Sequence, residues 1–343
     1  MTGGIEVFLD DTPGEVRGMV ARDGRFERLI IQREGDSPQA RWGARSVGRV
    51  VEVQGTFRGA FVELGGIVGF LPLSKRLQVR EGQRVSVEVV AEPRERKGPT
   101  LKLLGPGEGE PRLVQPGPDV AEQLATLAPD VPVQTGLTAI QASWDAEEEA
   151  LADGDFFAEA ALDLAVQRTR ALIAVDVDYA HLPGRDARKG RERANRLGLV
   201  HAARLIRLKS WGGLVAIDLV GAIHDSQAVT DWARAAFGAD PDVAFGPLSR
   251  FGLLQLTTPW RHAPIEEVLS GWDRSRLPAS EAIALTRRLR HQLLSDPATP
   301  RFVARCTPAE AKAAAPLVAR LGPRAGLRPD PTVIAGRAEI DEG

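Results

Sequence analysis

Cysteine is nearly absent. Cys306 is the only one in 343 residues, which excludes an internal disulfide framework and any cysteine-cluster zinc site within one chain. Long hydrophobic runs are missing too: none approaches the roughly 18 residues that a membrane-spanning helix needs. The opening Met1-Thr2-Gly3-Gly4-Ile5-Glu6 lacks the basic and apolar regions of a secretory signal, so a cytoplasmic protein is expected. No phosphate-cradling glycine motif occurs, which leaves nucleotide hydrolysis without support. The five histidines, His181, His201, His224, His262 and His291, show no metal-ligand spacing and are expected on the surface. Internal repeats are absent.

What is present is an ordinary globular composition, 43% hydrophobic and 26% charged, in a chain long enough for two or three domains. The net charge of −2 conceals an uneven distribution. From Arg185 to Lys209 nine Lys/Arg stand against two acidic residues, near +7, whereas Asp145 to Asp163 holds eight acidic residues and no basic ones. A polyanion is a candidate partner for the basic stretch; a solvated helix face explains the same charges.

Along the chain, Gly14–Val20 and Phe26–Ile31 read as a hairpin turning at Arg22-Asp23-Gly24. Residues 46–104 carry five short strand-like runs, among them Ser46–Val53, Gly59–Leu64, Gly66–Leu71 and Val85–Val90, and fit an OB-type barrel. Gly105 to Pro118 reads as a linker, and residues 119–165 as helix plus loop. A βαβ unit follows: a strand at Leu172–Val177, a helix over 187–208 with Leu199, Ala202, Ala203 and Ile206 on one face, and a second strand at Leu214–Leu219. Further helices are predicted at 226–237, near 280–294 and near 308–321, with a strand near Phe251–Leu256.

The candidate chemistry lies on the βαβ strands. Alternation places Asp176 and Asp178 on one face of their strand and Val175 and Val177 on the other. The next strand also ends in a carboxylate, Asp218. Parallel pairing would set Asp218 beside Asp176 at the C-terminal edge, where α/β sheets keep their ligands. Such a pair suits Mg²⁺, which takes one or two carboxylates and binds substrate phosphate. Strand-end aspartates also cap helices and turns, which is the plainer explanation.

Arg168-Thr169-Arg170-Ala171-Leu172-Ile173-Ala174-Val175-Asp176-Val177-Asp178 resembles the catalytic strand of ribonuclease E/G. Asn195, Ala203–Leu208, Gly212–Asp218 and Leu248-Ser249-Arg250-Phe251-Gly252-Leu253-Leu254-Gln255-Leu256 resemble that family's next helix and strands in order and spacing. The resemblance implies an endoribonuclease with Asp176 and Asp218 on Mg²⁺ (Mn²⁺ as an alternative) and Asp178 orienting a water. Gly48–Val53, Gly59–Gly65 and Gly69–Leu73 resemble the family's inserted RNA-binding barrel, which implies that Phe61 and Phe70 stack on RNA and Lys97 meets its backbone. Between residues 46 and 104, ten basic and six acidic residues agree with phosphate contact. Arg204 and Arg207, i and i+3 on the helix, are candidate phosphate ligands, as are Asn195 and Arg250.

The sequence also departs from the family. Gln134-Thr135 stands where a 5′-monophosphate sensor has Arg-Thr, and a neutral amide cannot hold phosphate as Arg does. A further sensing arginine falls near Asp242. The cysteines that link family subunits through zinc are missing near Arg261–Pro264, so no structural zinc and no zinc-linked dimer is expected. Gln255 replaces a usual Glu and Thr258 a frequent Arg.

The expected architecture is α+β and multi-subdomain. RNase H-like strands occupy 1–40, the OB-type barrel 41–105, a shortened sensor and RNase H-like region 106–165, a DNase I-like catalytic subdomain 166–262, and a small C-terminal domain 263–343. The expected partner is single-stranded RNA, cut internally with 5′-phosphate ends and without 5′-end sensing; no membrane is involved. Two rivals stay open: a non-catalytic RNA-binding adaptor on the same scaffold, and a DNA nuclease.

Overall fold

Three strands open the chain. β1 (Ile5–Asp10), β2 (Glu15–Arg22) and β3 (Arg25–Arg33) pair antiparallel in sequence; β2 and β3 are the predicted hairpin, and β1 adds a strand that the hairpin reading did not include. A computed structural model describes residues 4–56, 58–74, 78–180, 187–221, 225–271 and 275–343. They fall into two units: Met1–Glu147 with Ile265–Gly343, and Glu148–Pro264.

In the first unit the meander leads into β4 (Arg45–Gln54), β5 (Gly59–Glu63), β6 (Val68–Pro72), β7 (Arg84–Ala91) and β8 (Thr100–Pro106). Their order, β5-β6-β8-β7-β4, closes through a β4–β5 pairing into a five-stranded barrel. Alternation fills it: Val62, Leu64, Val85, Val87 and Val89 are buried, while Phe61 and Glu63 are partly exposed. The stretch read as a linker is not one. It contains β9 (Arg112–Gln115), which extends the sheet beyond β4; its Gly/Pro flanks hid a strand of only four residues.

α1 (Val120–Leu127) begins at a capping box in which the Asp119 carboxylate accepts from the Glu122 amide and the Glu122 carboxylate from the Asp119 amide, each at 2.8 Å. It buries Val120 and Leu124 against Val7, Val20 and Ile30. β10 (Val133–Gln134) pairs parallel to β1, and α2 (Leu137–Leu151) follows.

The second unit is a mixed sheet of β11 (Gly154–Phe157), β12 (Leu162–Arg168), β13 (Ile173–Tyr179), β14 (Gly213–Asp218), β15 (Ala244–Phe245) and β16 (Leu254–Thr258). The order is β11-β12-β13-β14-β16-β15. α3 (Ala187–Leu208) is the crossover between β13 and β14, the one parallel pair in this sheet, and α4 (Ser226–Phe237) packs on α3. Both helices match the periodicity reading. Leu164, Val166, Val175, Val177, Val215 and Ile217 are buried on the side facing α3. Gly198 lets the helix lie close, since a Cβ there would stand 2.8 Å from Val177 Cγ1. Among the described residues the other face of the sheet is open, with Asp163, Ala174, Asp176, Leu214 and Gln255 exposed.

The chain returns to the first unit with α5 (Ile265–Leu269), α6 (Pro278–Ser295), β17 (Phe302–Cys306), α7 (Pro308–Val318), β18 (Ala325–Pro329) and β19 (Glu339–Glu342). Leu289, Ala304, Cys306, Ala314 and Val318 form the core of this C-terminal part. Burial raises the Cys306 thiol pKa above its ordinary value, which suits a small core residue better than a nucleophile. No helix among the described residues is long and apolar enough to cross a membrane.

Candidate active site

Pairing in the second unit sets carboxylates side by side. Asp176 of β13 lies directly opposite Asp218 of β14 in the parallel ladder, one strand spacing of about 4.8 Å apart. Asp178, two residues on, shares the face, and across the antiparallel β12–β13 ladder it meets Asp163. All four are exposed on the open side of the sheet. Asp163 escaped the sequence reading because β12 lies at the end of a stretch taken as helix and loop. Its alternation, Leu162-Asp163-Leu164-Ala165-Val166-Gln167, was the available signal.

The electrostatics are repulsive. Burial pushes the Asp176 carboxyl pKa up, and the charges of Asp218, Asp178 and Asp163 push it further the same way. Among the described residues no Lys or Arg forms an ion pair with any of these four carboxylates. All-oxygen donors with unrelieved negative charge fit a hard divalent cation. Among the described residues no three or more Asp, Glu, His or Cys side chains converge as a cage. An ion here would therefore rest on the Asp176 and Asp218 carboxylates and complete its shell with water and phosphate oxygens, the habit of Mg²⁺.

The segment after Asp218 is held from α3. The Asn195 side chain, 7% exposed, donates from Nδ2 to the Val220 carbonyl at 3.1 Å and accepts the Val220 N–H on Oδ1 at 2.9 Å. Its amide is thus used inside the protein, two residues from Asp218, rather than presented to RNA. Arg204 is a second correction. Only 3% exposed, it pairs with Glu149 at 2.5 Å, so it does not face solvent phosphate. Lys209 is likewise buried and donates to the carbonyls of Ala150 and Ala152, at 2.8 and 2.5 Å. Charge counting along the sequence cannot see such internal partners.

Arg207 is partly buried, with Nη1 3.5 Å from the Ala236 carbonyl. Arg191 of α3, exposed, reaches the segment after Asp218: its Cδ would stand 3.0 Å from a Cβ on Gly221. Arg250 is exposed, its guanidinium 4.8 Å from the Phe251 ring. His201 is partly buried, its ring stacked on buried Phe157 at 3.9 Å. Arg185, His181 and His224 lie outside the described residues.

In the barrel, Phe61 and Phe70 face each other across β5 and β6, with ring centroids 5.6 Å apart in an edge-to-face arrangement. Gly59 makes room, for a Cβ there would stand 2.1 Å from the Phe70 ring. Lys97, 68% exposed, is bonded to Glu95 at 2.9 Å in the turn before β8.

Two parallel strands thus end in paired carboxylates on a helix-backed sheet, at the strand edge where α/β sheets keep their ligands. Residues 150–260 match the model of the Ribonuclease E/G family, so this segment of the chain is similar to that family. No curated protein matches the chain.

Proposed function

We propose that the protein is a Mg²⁺-dependent endoribonuclease that cuts single-stranded RNA internally, with Asp176 and Asp218 as its ion ligands. The observation that carries this is the Asp176–Asp218 ladder pair at the C-terminal strand edge of the family-matched unit. An ion held by the Asp176 and Asp218 carboxylates would supply an acidified water and offset charge on the phosphate. Asp178 accepts a hydrogen bond from the attacking water and so aims it at phosphorus, leaving 5′-phosphate and 3′-hydroxyl ends. Arg191 and Arg250 hold phosphates on either side.

The barrel is read as an OB-type RNA-binding module, for a closed five-stranded barrel with strands in this order supports it. The first sheet is read as RNase H-like and the second unit as DNase I-like. Cleavage is read as independent of a 5′-monophosphate. Gln134 offers no charge, and Asp242 binds Arg261 at 2.8 Å instead of supplying a phosphate ligand. The test is cleavage of an internally labelled single-stranded RNA, and of the matched DNA, with Mg²⁺ or with EDTA. Binding without cleavage would replace the enzyme by the adaptor reading, and preference for DNA would replace RNA as substrate.

Two smaller effects are expected. Phe61→Ala or Phe70→Ala should weaken RNA binding by about 1–3 kcal/mol, the worth of one stacked base, measured by filter binding in EDTA. The Phe61→Trp variant should hold its affinity. Asn195→Ala leaves the Val220 N–H and carbonyl unpaired and should cost about 1–3 kcal/mol of stability. It should also raise the Mg²⁺ needed for half-maximal cleavage about tenfold, as loss of an outer-shell partner does. An unchanged Mg²⁺ requirement in a destabilised variant would leave Asn195 a purely structural residue.

A further inference from the structure

The open face of the second-unit sheet carries an aromatic ring that this reading does not use. Phe157 turns inward and stacks on His201, but its neighbour Phe156 is 57% exposed. Register fixes where that ring stands. Phe156 lies directly opposite Asp163, and Asp163 opposite Asp178. All three therefore share one face and one row, with the ring two strands, about 10 Å, from β13.

The turn on the other side of the acid pair carries a second exposed ring. Phe251 is 77% exposed in the turn that enters β16. Ser249 Oγ accepts from the amides of Phe251 and Leu253, at 3.3 and 3.0 Å, and holds the turn in shape. Because Ile217 pairs with Leu254, this turn lies beside the end of β14 where Asp218 stands.

We propose that Phe156 and Phe251 each stack on a base of the single-stranded RNA being cut, one on either side of the scissile phosphate. The strand then runs across β12, β13 and β14, and the phosphate between the two bases sits over Asp176 and Asp218. The proposal rests on the nuclease reading above and adds the polynucleotide's path to it.

The physical case comes from the charge of the face. Four carboxylates repel a polyanion, so attachment points that are not electrostatic add to what Arg191 and Arg250 can supply at the edge of the face. Base–aromatic stacking supplies them without regard to sequence, because every base has a π face. The Phe156 ring shares its row with Asp163 and Asp178 rather than with apolar side chains. That setting suits one flat base better than a protein surface, which would need a continuous apolar patch.

The test uses the full chain and a single-stranded RNA with 2-aminopurine beside the cut site. Wild type, Phe156→Ala, Phe251→Ala and the Trp variant of each are compared by steady-state cleavage. Base quenching is followed in the Asp176→Asn background, where the RNA stays intact. Each Ala variant is expected to raise KM about tenfold or more, with a smaller change in kcat and loss of 2-aminopurine quenching. The Trp variants should keep both. If KM and quenching match wild type in both Ala variants, the proposal fails while the nuclease reading stands. If wild type cuts no RNA, the nuclease reading fails, and absent quenching on binding would sink the stacking proposal separately. A Phe156→Ala variant that changed only the oligomeric state, with RNA kinetics intact, would make this face an interface between copies and overturn the proposal.

Discussion

Asp176→Asn and Asp218→Asn are each expected to lower RNA cleavage by roughly 10³-fold, with RNA binding retained. The amide keeps the shape of the carboxylate but removes the charge that holds a hard cation. Loss of the ion's contribution, several kcal/mol of barrier, corresponds to that factor. Stability should not fall. The Asp176 carboxyl is pushed up by burial and by the charges of Asp218, Asp178 and Asp163, so neutralising it relieves repulsion in the folded state. Thermal unfolding without metal should therefore be unchanged or slightly later in both variants. Asp178→Asn is expected to cost less, because an amide can still accept a hydrogen bond from a water. Cleavage by Asp176→Asn and Asp218→Asn at wild-type rates would remove the acid pair from the mechanism.

How much of this was legible in the sequence depends on the range of the interactions. Period and alternation are local, so α3, α4 and the β13–β14 pair were readable from Leu199, Ala202, Ala203 and Ile206 and from the Asp176-Val177-Asp178 alternation. The meeting of Asp176 and Asp218 followed from one further rule, that a crossover helix joins parallel strands. β12 and β9 were missed because Ala-rich acidic and Gly/Pro-rich composition outweighed short alternating patterns. Arg204 was misplaced for another reason: its partner Glu149 lies 55 residues upstream, beyond any helical spacing. Asn195 was read as an RNA contact because a polar residue on a helix gives no sign that a backbone turn will claim it.

A feature of much longer range was invisible in the sequence, and it supports the last prediction: Arg287→Met should destabilise the first unit by about 3–5 kcal/mol. Arg287, on α6, is fully buried and bonds Asp10 at 2.5 Å and Glu15 at 2.9 Å, carboxylates more than 270 residues away in sequence. Glu15 is also held by Arg17 at 2.5 Å and Arg33 at 2.8 Å, and Arg17 continues to Glu147 at 2.6 Å. Removing one guanidinium leaves buried carboxylate charge undercompensated, which costs more than the pair itself contributes. The pH dependence follows from Glu15. Burial pushes its carboxyl up, but Arg17, Arg287 and Arg33 together outweigh this and hold it down to about 2 from an ordinary 4.5. A depressed carboxylate stabilises the fold fully above 4.5, and that stability, on the order of 3 kcal/mol, drains away as pH falls from 4.5 toward 2. Taking away Arg287 lets the Glu15 pKa rise, so acid unfolding of Arg287→Met should begin at a higher pH than in wild type. Urea melts followed by circular dichroism between pH 7 and pH 3 measure both effects. Equal stability of the two proteins at pH 7 would show that the buried cluster does not hold α6 to the N-terminal strands.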